Sequence, residues 1–139
     1  MMIGVVIYTL MGRVTKRTKI KKGGKTYMSK CDVKQNVLCK KLGPEYRILY
    51  IDLERCIYRD FGNGFDVEIS GTHTTSERKT ATIYLWYVPE KITVKRVSGV
   101  KQSDIGKVVD ELYQFSQELL CKGITSRDEL WAIRRSASL

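Results

Sequence analysis

Three consecutive stretches between Phe65 and Val97 constrain the fold most strongly, because each has the residue pattern of a β-strand. Phe65 to Ser70 alternates apolar and polar residues, which is the period-two signal of a half-buried strand. Thr80 to Val88 is a β-branched and aromatic run (TATIYLWYV) typical of a central strand, and Ile92 to Val97 gives a third. Polar connections without helical pattern separate the three, so we predict an antiparallel meander.

Two helices are predicted before these strands. Asp32 to Leu42 has apolar residues on one face, an acidic residue suited to its N-cap or first turn, and Gly43-Pro44 after it. Pro44 also suits the start of a second helix, since apolar residues recur at helical spacing from Tyr46 through Asp60. The run from Ile48 to Ile51 is apolar enough to form a strand instead.

Two more helices are predicted after the strands. From Asp104 apolar residues recur at helical spacing as far as Leu120, with Ser103 as the N-cap, and Gly123 ends this helix. Ser126 to Glu129 has the pattern of a capping box that begins a short last helix. The predicted order is α-α-β-β-β-α-α. It describes a single α+β domain in which a small three-stranded antiparallel sheet is packed with helices.

The distribution of charge separates an N-terminal arm from this domain. The chain has 25 lysines and arginines against 15 acidic residues, a formal net charge of +10. Eight of the basic residues and none of the acidic ones lie in residues 12–30, so residues 31–139 are nearly neutral. Dense like charges favour an extended, flexible arm that binds polyanions in a salt-dependent manner. The arm residues predicted to bind nucleic acid are Arg13, Lys16, Arg17, Lys19, Lys21, Lys22 and Lys25.

Residues 1–11 form an apolar, uncharged leader, and the domain itself spans residues 31–139. The leader is shorter than the about 20 residues that cross a bilayer, and it lacks the features of a signal peptide. It could add a strand or an apolar contact; alternatively, translation starts at Met11 and the leader is not native. Without an export signal we expect a cytoplasmic protein whose cysteines are free thiols. Cys56 and Cys121 fall on apolar faces of predicted helices and are expected to be buried.

The residues that could carry chemistry do not indicate an enzyme. His73 is the only histidine, and neither a nucleophile nor an orienting partner is marked beside it in the polar loop from Gly71 to Lys79. It is therefore predicted to be an ordinary exposed loop residue. The cysteine spacings match no zinc pattern. We predict no catalytic site, no metal site and no cofactor.

Basic and aromatic residues of the domain are the remaining candidates for binding. Tyr84 and Trp86 lie two residues apart on the central strand, so their side chains share one sheet face. If that face is uncovered, the two rings could stack on bases or fill a protein interface. Four basic residues could contact a phosphate backbone, the alternative being ordinary solvated surface: Arg78, Lys79, Lys95 and Arg96.

Two short stretches of the chain are similar to a known family. One is Tyr58-Arg59-Asp60-Phe61-Gly62, which leads into Phe65 to Ser70, and the other is Lys122-Gly123 followed by Thr125-Ser126. Together with the basic arm and the predicted α+β domain, they resemble a phage-encoded anti-CRISPR family that inhibits type II-A Cas9. The resemblance implies a basic N-terminal arm, a small antiparallel sheet with helices, and binding to a Cas9–guide RNA complex.

The sequence therefore leads to a functional expectation. The chain is expected to be a non-enzymatic protein of a phage or mobile element that inhibits a Cas9-type RNA-guided nuclease by docking on its protein–guide RNA complex. The alternative is a DNA- or RNA-binding accessory or regulatory protein of a mobile element. In both cases the partner is a nucleic acid or ribonucleoprotein in the bacterial cytoplasm, with no membrane and no small-molecule substrate involved.

Overall fold

The structure is a computed structural model that describes residues 28–137. The predicted leader and residues 12–27 of the predicted arm lie outside the described residues. Within residues 28–137, no helix is long and apolar enough to cross a membrane. The elements are α1 (Lys30–Leu42), β1 (Arg47–Ile51), β2 (Glu54–Asp60), β3 (Phe65–Ser70), β4 (Ala81–Tyr87), β5 (Ile92–Val100), a 3-10 turn (Gln102–Asp104), α2 (Ile105–Cys121) and α3 (Arg127–Ala137).

The five strands form one antiparallel sheet in which each strand pairs with its neighbours along the chain, in the order β1-β2-β3-β4-β5. The predicted α+β class is confirmed, but the prediction of three strands is wrong. The three predicted strands correspond to β3, β4 and β5. The other two, β1 and β2, occupy the segment for which a second helix is predicted, and the strand alternative for Ile48 to Ile51 is the correct one.

The prediction of a second helix is wrong because the hairpin between β1 and β2 has an unusual turn. Asp52 and Leu53 both have positive φ, 51° and 67°, as tight two-residue hairpin turns require. Asn-Gly or Asp-Gly usually marks such a turn, so Asp-Leu gives no sequence signal. The apolar residues are satisfied by sheet pairing instead: Ile57 pairs with Ile48 and Ile69 and is fully buried. Long-range pairing overrides the local helical spacing.

The hydrophobic core lies between one face of the sheet and the helices. Side chains that alternate along β3 and β4 point into it, including Val67, Ile69, Ile83 and Leu85, all fully buried. From α2 the core receives residues at helical spacing, namely Ile105, Val109, Leu112 and Leu119. This pattern matches the helical stripe expected from the sequence, and α2 begins one residue later than predicted.

The last helix, α3, packs against β5. It begins at the predicted capping box, which is confirmed: Ser126 Oγ accepts a hydrogen bond from the Glu129 amide at 3.2 Å, and Glu129 Oε1 accepts one from the Ser126 amide at 3.4 Å. Leu130 is fully buried in the core, and Trp131 is partly buried against it. Arg127 donates to a backbone carbonyl in the β4–β5 turn at 2.5 Å. These contacts fix the position of α3 along the sheet.

Candidate binding surface on the open sheet face

The face of the sheet opposite the core, here called the open face, carries the predicted aromatic pair. Ile83 and Leu85 of β4 point into the core, whereas Tyr84 and Trp86 alternate with them and are half-buried on the other side. The interpretation that the two rings share a face is confirmed by this register. The open face is therefore the first part of the domain to consider as a binding surface.

A row of side chains crosses all five strands on the open face. Strand pairing places Arg47 opposite Tyr58, Tyr58 opposite Glu68, Glu68 opposite Tyr84, and Tyr84 opposite Arg96. Paired residues in an antiparallel sheet lie on the same face, so these five form a cross-strand row. The Arg47 guanidinium lies 5.2 Å from the centroid of the Tyr58 ring. The row thus has an arginine at each end, a tyrosine inside each arginine and a carboxylate in the centre.

A second, shorter row supports the first. Asp66 pairs with Trp86, and Trp86 pairs with Thr93. Asp66 is only 3% exposed, and its Oδ2 accepts a hydrogen bond from the Tyr58 hydroxyl at 2.7 Å. A buried carboxylate of this kind restricts the orientation of the Tyr58 ring. The open face is therefore an ordered set of rings and charges and not a set of independent surface side chains.

A pocket of about 310 Å³ lies where the open face meets α3. Two guanidinium groups come to it from different elements, Arg96 from β5 and Arg134 from α3. The Arg134 guanidinium lies 4.7 Å from the centroid of the Trp131 ring on the same helix. No aspartate or glutamate of the described residues lines the pocket, whose lining is Tyr84, Thr93, Val94, Lys95, Arg96, Ser98 and Arg134.

The structure brings together only some of the residues predicted to bind. Tyr84 and Arg96 both line the pocket, and Trp86 lies two residues after Tyr84 on the same face of β4. Lys95 lines the same pocket, but its ammonium lies 4.8 Å from the ring centroid of Phe115 on α2, beneath the sheet. Arg78 and Lys79 are exposed in the β3–β4 loop and do not line the pocket. The seven predicted arm residues lie outside the described residues.

The β3–β4 loop is fastened to α1 by three polar contacts. His73 Nε2 lies 2.7 Å from Asp32 Oδ1, and Lys34 forms a salt bridge of 3.2 Å with Glu77. The fully buried Gln35 donates from Nε2 to the hydroxyl of Thr72 and to the Arg55 carbonyl, each at 2.8 Å. This attachment holds the basic end of the loop on the α1 side of the domain.

His73 is exposed as predicted, but it has an orienting partner in Asp32, which the sequence does not mark. Within residues 28–137, His73 forms no hydrogen bond to a serine, threonine or cysteine side chain. Asp32 also accepts a hydrogen bond from the Ser29 amide at 3.2 Å and lies 3.6 Å from the Arg55 guanidinium. The pair therefore joins the loop, the helix start and β2 at one point.

The carboxyl of Asp32 makes the stability of this junction dependent on pH. Burial opposes ionisation, but the hydrogen bonds from His73 and Ser29 and the charge of Arg55 outweigh it, so the pKa of Asp32 lies below its ordinary value. A lowered pKa stabilises the fold above the unfolded-state pKa, about 3.9, and this contribution is lost as the pH falls through the folded-state pKa. We expect Asp32→Asn to lower the free energy of unfolding by about 1 kcal/mol near pH 7.

Urea denaturation at pH 7 and at stepwise lower pH measures this effect. The gap between wild type and Asp32→Asn should narrow as the pH falls below about 4, where the unfolded chain takes up the proton, and should close once the pH has passed the lowered folded-state pKa of Asp32. Asp110→Asn is the matched control: its carboxylate is 79% exposed and 4.0 Å from Arg59, so it should change stability by less than about 0.5 kcal/mol. A gap of unchanged size in strong acid would contradict the assignment to the Asp32 charge.

The cysteines offer no activated nucleophile among the buried thiols. All four are free; Cys39 and Cys56 are buried, and Cys31 is partly exposed. Burial raises the pKa of the Cys56 thiol far above its usual range and also raises that of Cys39, so both stay protonated. The prediction that Cys121 is buried is wrong, since it is exposed at the end of α2. Within residues 28–137, no group of three histidine, cysteine or acidic side chains could hold a metal ion.

Arg134, Arg47 and Glu68 are parts of the candidate surface that the predicted site residues do not include; the sequence marks Arg134 only as part of a small basic patch with Arg135. Arg134 does have a signal: it lies four residues after Leu130 and three after Trp131, which places it beside the packed side of α3. Arg47 could not be found, because a helix is predicted for its segment. In the sequence, Glu68 is one of the polar residues that alternate with apolar ones along its strand. Its position between Tyr58 and Tyr84 depends on the register of the sheet.

Comparison with known proteins found no match: no family model, no curated protein and no solved structure is significantly similar to this chain. Neither an activity nor a partner follows from similarity to another protein.

Proposed function

We propose that this chain is a non-enzymatic binding protein that docks on a nucleic acid or ribonucleoprotein. In its sharpest form it is a phage or mobile-element inhibitor of a Cas9-type RNA-guided nuclease, acting on the protein–guide RNA complex in the bacterial cytoplasm. The observation that carries the proposal is the open face, where half-buried aromatic rings stand beside arginines in a chain of net charge +10.

The division of roles follows from the charge distribution. Residues 12–30 hold eight basic residues and no acidic one, so they supply affinity for phosphates that depends on salt and not on sequence. The remainder of the chain is close to neutral, and its ordered rings and charges supply selectivity by stacking and by matching a partner surface. A Cas9–guide RNA complex presents both RNA backbone and a charged protein channel, which suits such a combination.

A cleavage assay tests the proposal. Purified chain is titrated into a type II-A Cas9–guide RNA complex before a linear DNA target is added, and the cleaved fraction is measured. We expect inhibition that saturates as the chain exceeds the complex. Tyr84→Ala should weaken it by about tenfold, since stacking on one aromatic ring contributes about 1–3 kcal/mol.

Tyr50→Ala provides the matched control for that variant. Tyr50 is 61% exposed on β1, and the register places it on the side of the sheet opposite Tyr84. The Tyr50→Ala variant should therefore inhibit Cas9 cleavage as strongly as the wild-type chain does. Full cleavage at every concentration of the wild-type chain would contradict the inhibitor proposal.

The alternative, a DNA- or RNA-binding accessory protein, draws on the same open face and on the exposed Arg78 and Lys79 of the β3–β4 loop. Gel shifts on duplex DNA separate the two proposals. Sequence-selective binding that survives moderate salt, without inhibition of Cas9 cleavage, favours the accessory protein.

A further inference from the structure

We propose that the pocket between β5 and α3 binds one nucleoside monophosphate unit, with the phosphate between Arg96 and Arg134 and the base against the Tyr84 ring. The unit belongs to a single-stranded nucleic acid or is a free mononucleotide, which share this chemistry. The inference deepens the proposed function by naming the chemical group that the open face recognises, and it rests on that proposal only for its biological setting.

The cations of the pocket suit a phosphate. Arg96 and Arg134 approach from different elements, so a phosphate between them would be held from two sides. Guanidinium groups match phosphate oxygens with paired hydrogen bonds, and they are more weakly hydrated than ammonium groups. Thr93 and Ser98 add two hydroxyl donors to the lining. With no acidic residue of the described chain in the lining, the pocket favours an anion.

The size and the aromatic wall suit a nucleotide more than a bare phosphate. The volume, about 310 Å³, is at the lower end of the range of about 300–1,000 Å³ typical of small-molecule sites. Tyr84 is half-buried on the open face, and it pairs directly with Arg96 across the sheet. A ring beside a phosphate-binding arginine is the arrangement on which bases stack in single-strand binding proteins. Trp86, two residues along the same face, offers a place for the next base.

The pocket is also held in shape before a ligand arrives. Arg134 lies over the Trp131 ring, and Leu130 anchors α3 in the core. Arg127 ties the start of the same helix to the β4–β5 turn. Because both walls are parts of regular elements, little ordering is required on binding.

Tryptophan fluorescence gives a direct test, since each of the two tryptophans of the chain neighbours a residue that lines the pocket: Trp86 pairs with Thr93, and the Trp131 ring lies under Arg134. The full chain is titrated with adenosine 5′-monophosphate, with adenosine, and with a six-nucleotide single-stranded RNA. We expect saturable quenching by the monophosphate, with adenosine binding weaker by about tenfold or more, equivalent to about 1.4 kcal/mol. If the RNA competes with the monophosphate, the pocket binds a nucleoside monophosphate unit of a single-stranded nucleic acid. If the RNA does not compete, the ligand is the free mononucleotide.

The variant Arg96→Ala/Arg134→Ala should weaken binding of the monophosphate by about tenfold. Lys101→Ala/Arg135→Ala removes the same charge from exposed residues outside the pocket and should leave it unchanged. Equal affinity for adenosine and its monophosphate, or equal loss in both double variants, would overturn the proposal. Both pocket arginines are exposed, and a thermal melt shows whether each variant is folded.

Parallel cleavage assays separate this proposal from the proposed function. If the wild-type chain binds the monophosphate through the two arginines but does not inhibit Cas9, the pocket proposal is supported and the inhibitor proposal is contradicted. If the chain inhibits Cas9 but Arg96→Ala/Arg134→Ala does not weaken its binding of the monophosphate, the inhibitor proposal is supported and the pocket proposal is contradicted.

Discussion

Replacing the seven basic residues of the arm by glutamine is expected to abolish most of the affinity for single-stranded RNA at physiological salt. The residues are Arg13, Lys16, Arg17, Lys19, Lys21, Lys22 and Lys25. For single strands each phosphate contact contributes about −0.7 to the slope of log K against log salt, so the slope should become shallower by about 5 if all seven contact phosphates. The affinity and the salt slope are both measured by fluorescence anisotropy of a labelled 20-nucleotide RNA. The salt concentration is varied from about 50 to about 300 mM, where the effect is large.

The same variant distinguishes affinity from selectivity. Its binding of adenosine 5′-monophosphate should be unchanged, because the variant keeps Arg96 and Arg134, the two arginines of the proposed phosphate site. Inhibition of Cas9 should fall together with RNA affinity. An unaltered salt slope after neutralisation would show that the arm does not hold the polyanion.

Leu130→Ala is expected to destabilise the domain by about 2–5 kcal/mol, which is the usual cost of removing a fully buried leucine side chain. Leu130 joins α3 to the core, and α3 packs on β5 and carries Arg134 into the pocket. The variant should therefore also lose monophosphate binding under conditions where it is still folded. Urea denaturation gives the stability, and tryptophan quenching gives the binding.

Leu53→Ala is the matched control for Leu130→Ala. The substitution is chemically the same, but the Leu53 side chain is fully exposed at the β1–β2 turn, so its loss should change stability by less than about 0.5 kcal/mol. Equal destabilisation by both substitutions would contradict the assignment of Leu130 as the anchor of α3.

Much of the fold could be predicted from local patterns, and the failure has a physical cause. β3, β4 and β5 have the alternation or β-branched content that strands require, and α2 has an unbroken apolar stripe. Residues 44–60 carry apolar side chains at positions compatible with both a helix and a hairpin. Whether this segment forms a helix or a hairpin depends on the pairing of Ile57 with β1 and β3. A short window of sequence contains no information on pairing between distant segments.

The candidate surface could be predicted only in part for a related reason. That Tyr84 and Trp86 share a face follows from the two-residue period of a strand. Which face is uncovered depends on where the helices pack. That Arg96 meets Arg134 depends on the placement of α3 against β5, for which the sequence carries only the helical stripe around Leu130.

The glutamate in the middle of the cross-strand row limits the route that a polyanion can take. Glu68 lies two strands from Arg96, a separation of about 10 Å, within the range over which charges are only partly screened. A nucleic acid crossing the sheet toward Arg47 would pass over this carboxylate and be repelled. If the proposed function is right, we therefore expect the phosphates to follow β5 lengthwise, at the edge of the sheet opposite to the one that carries Arg47.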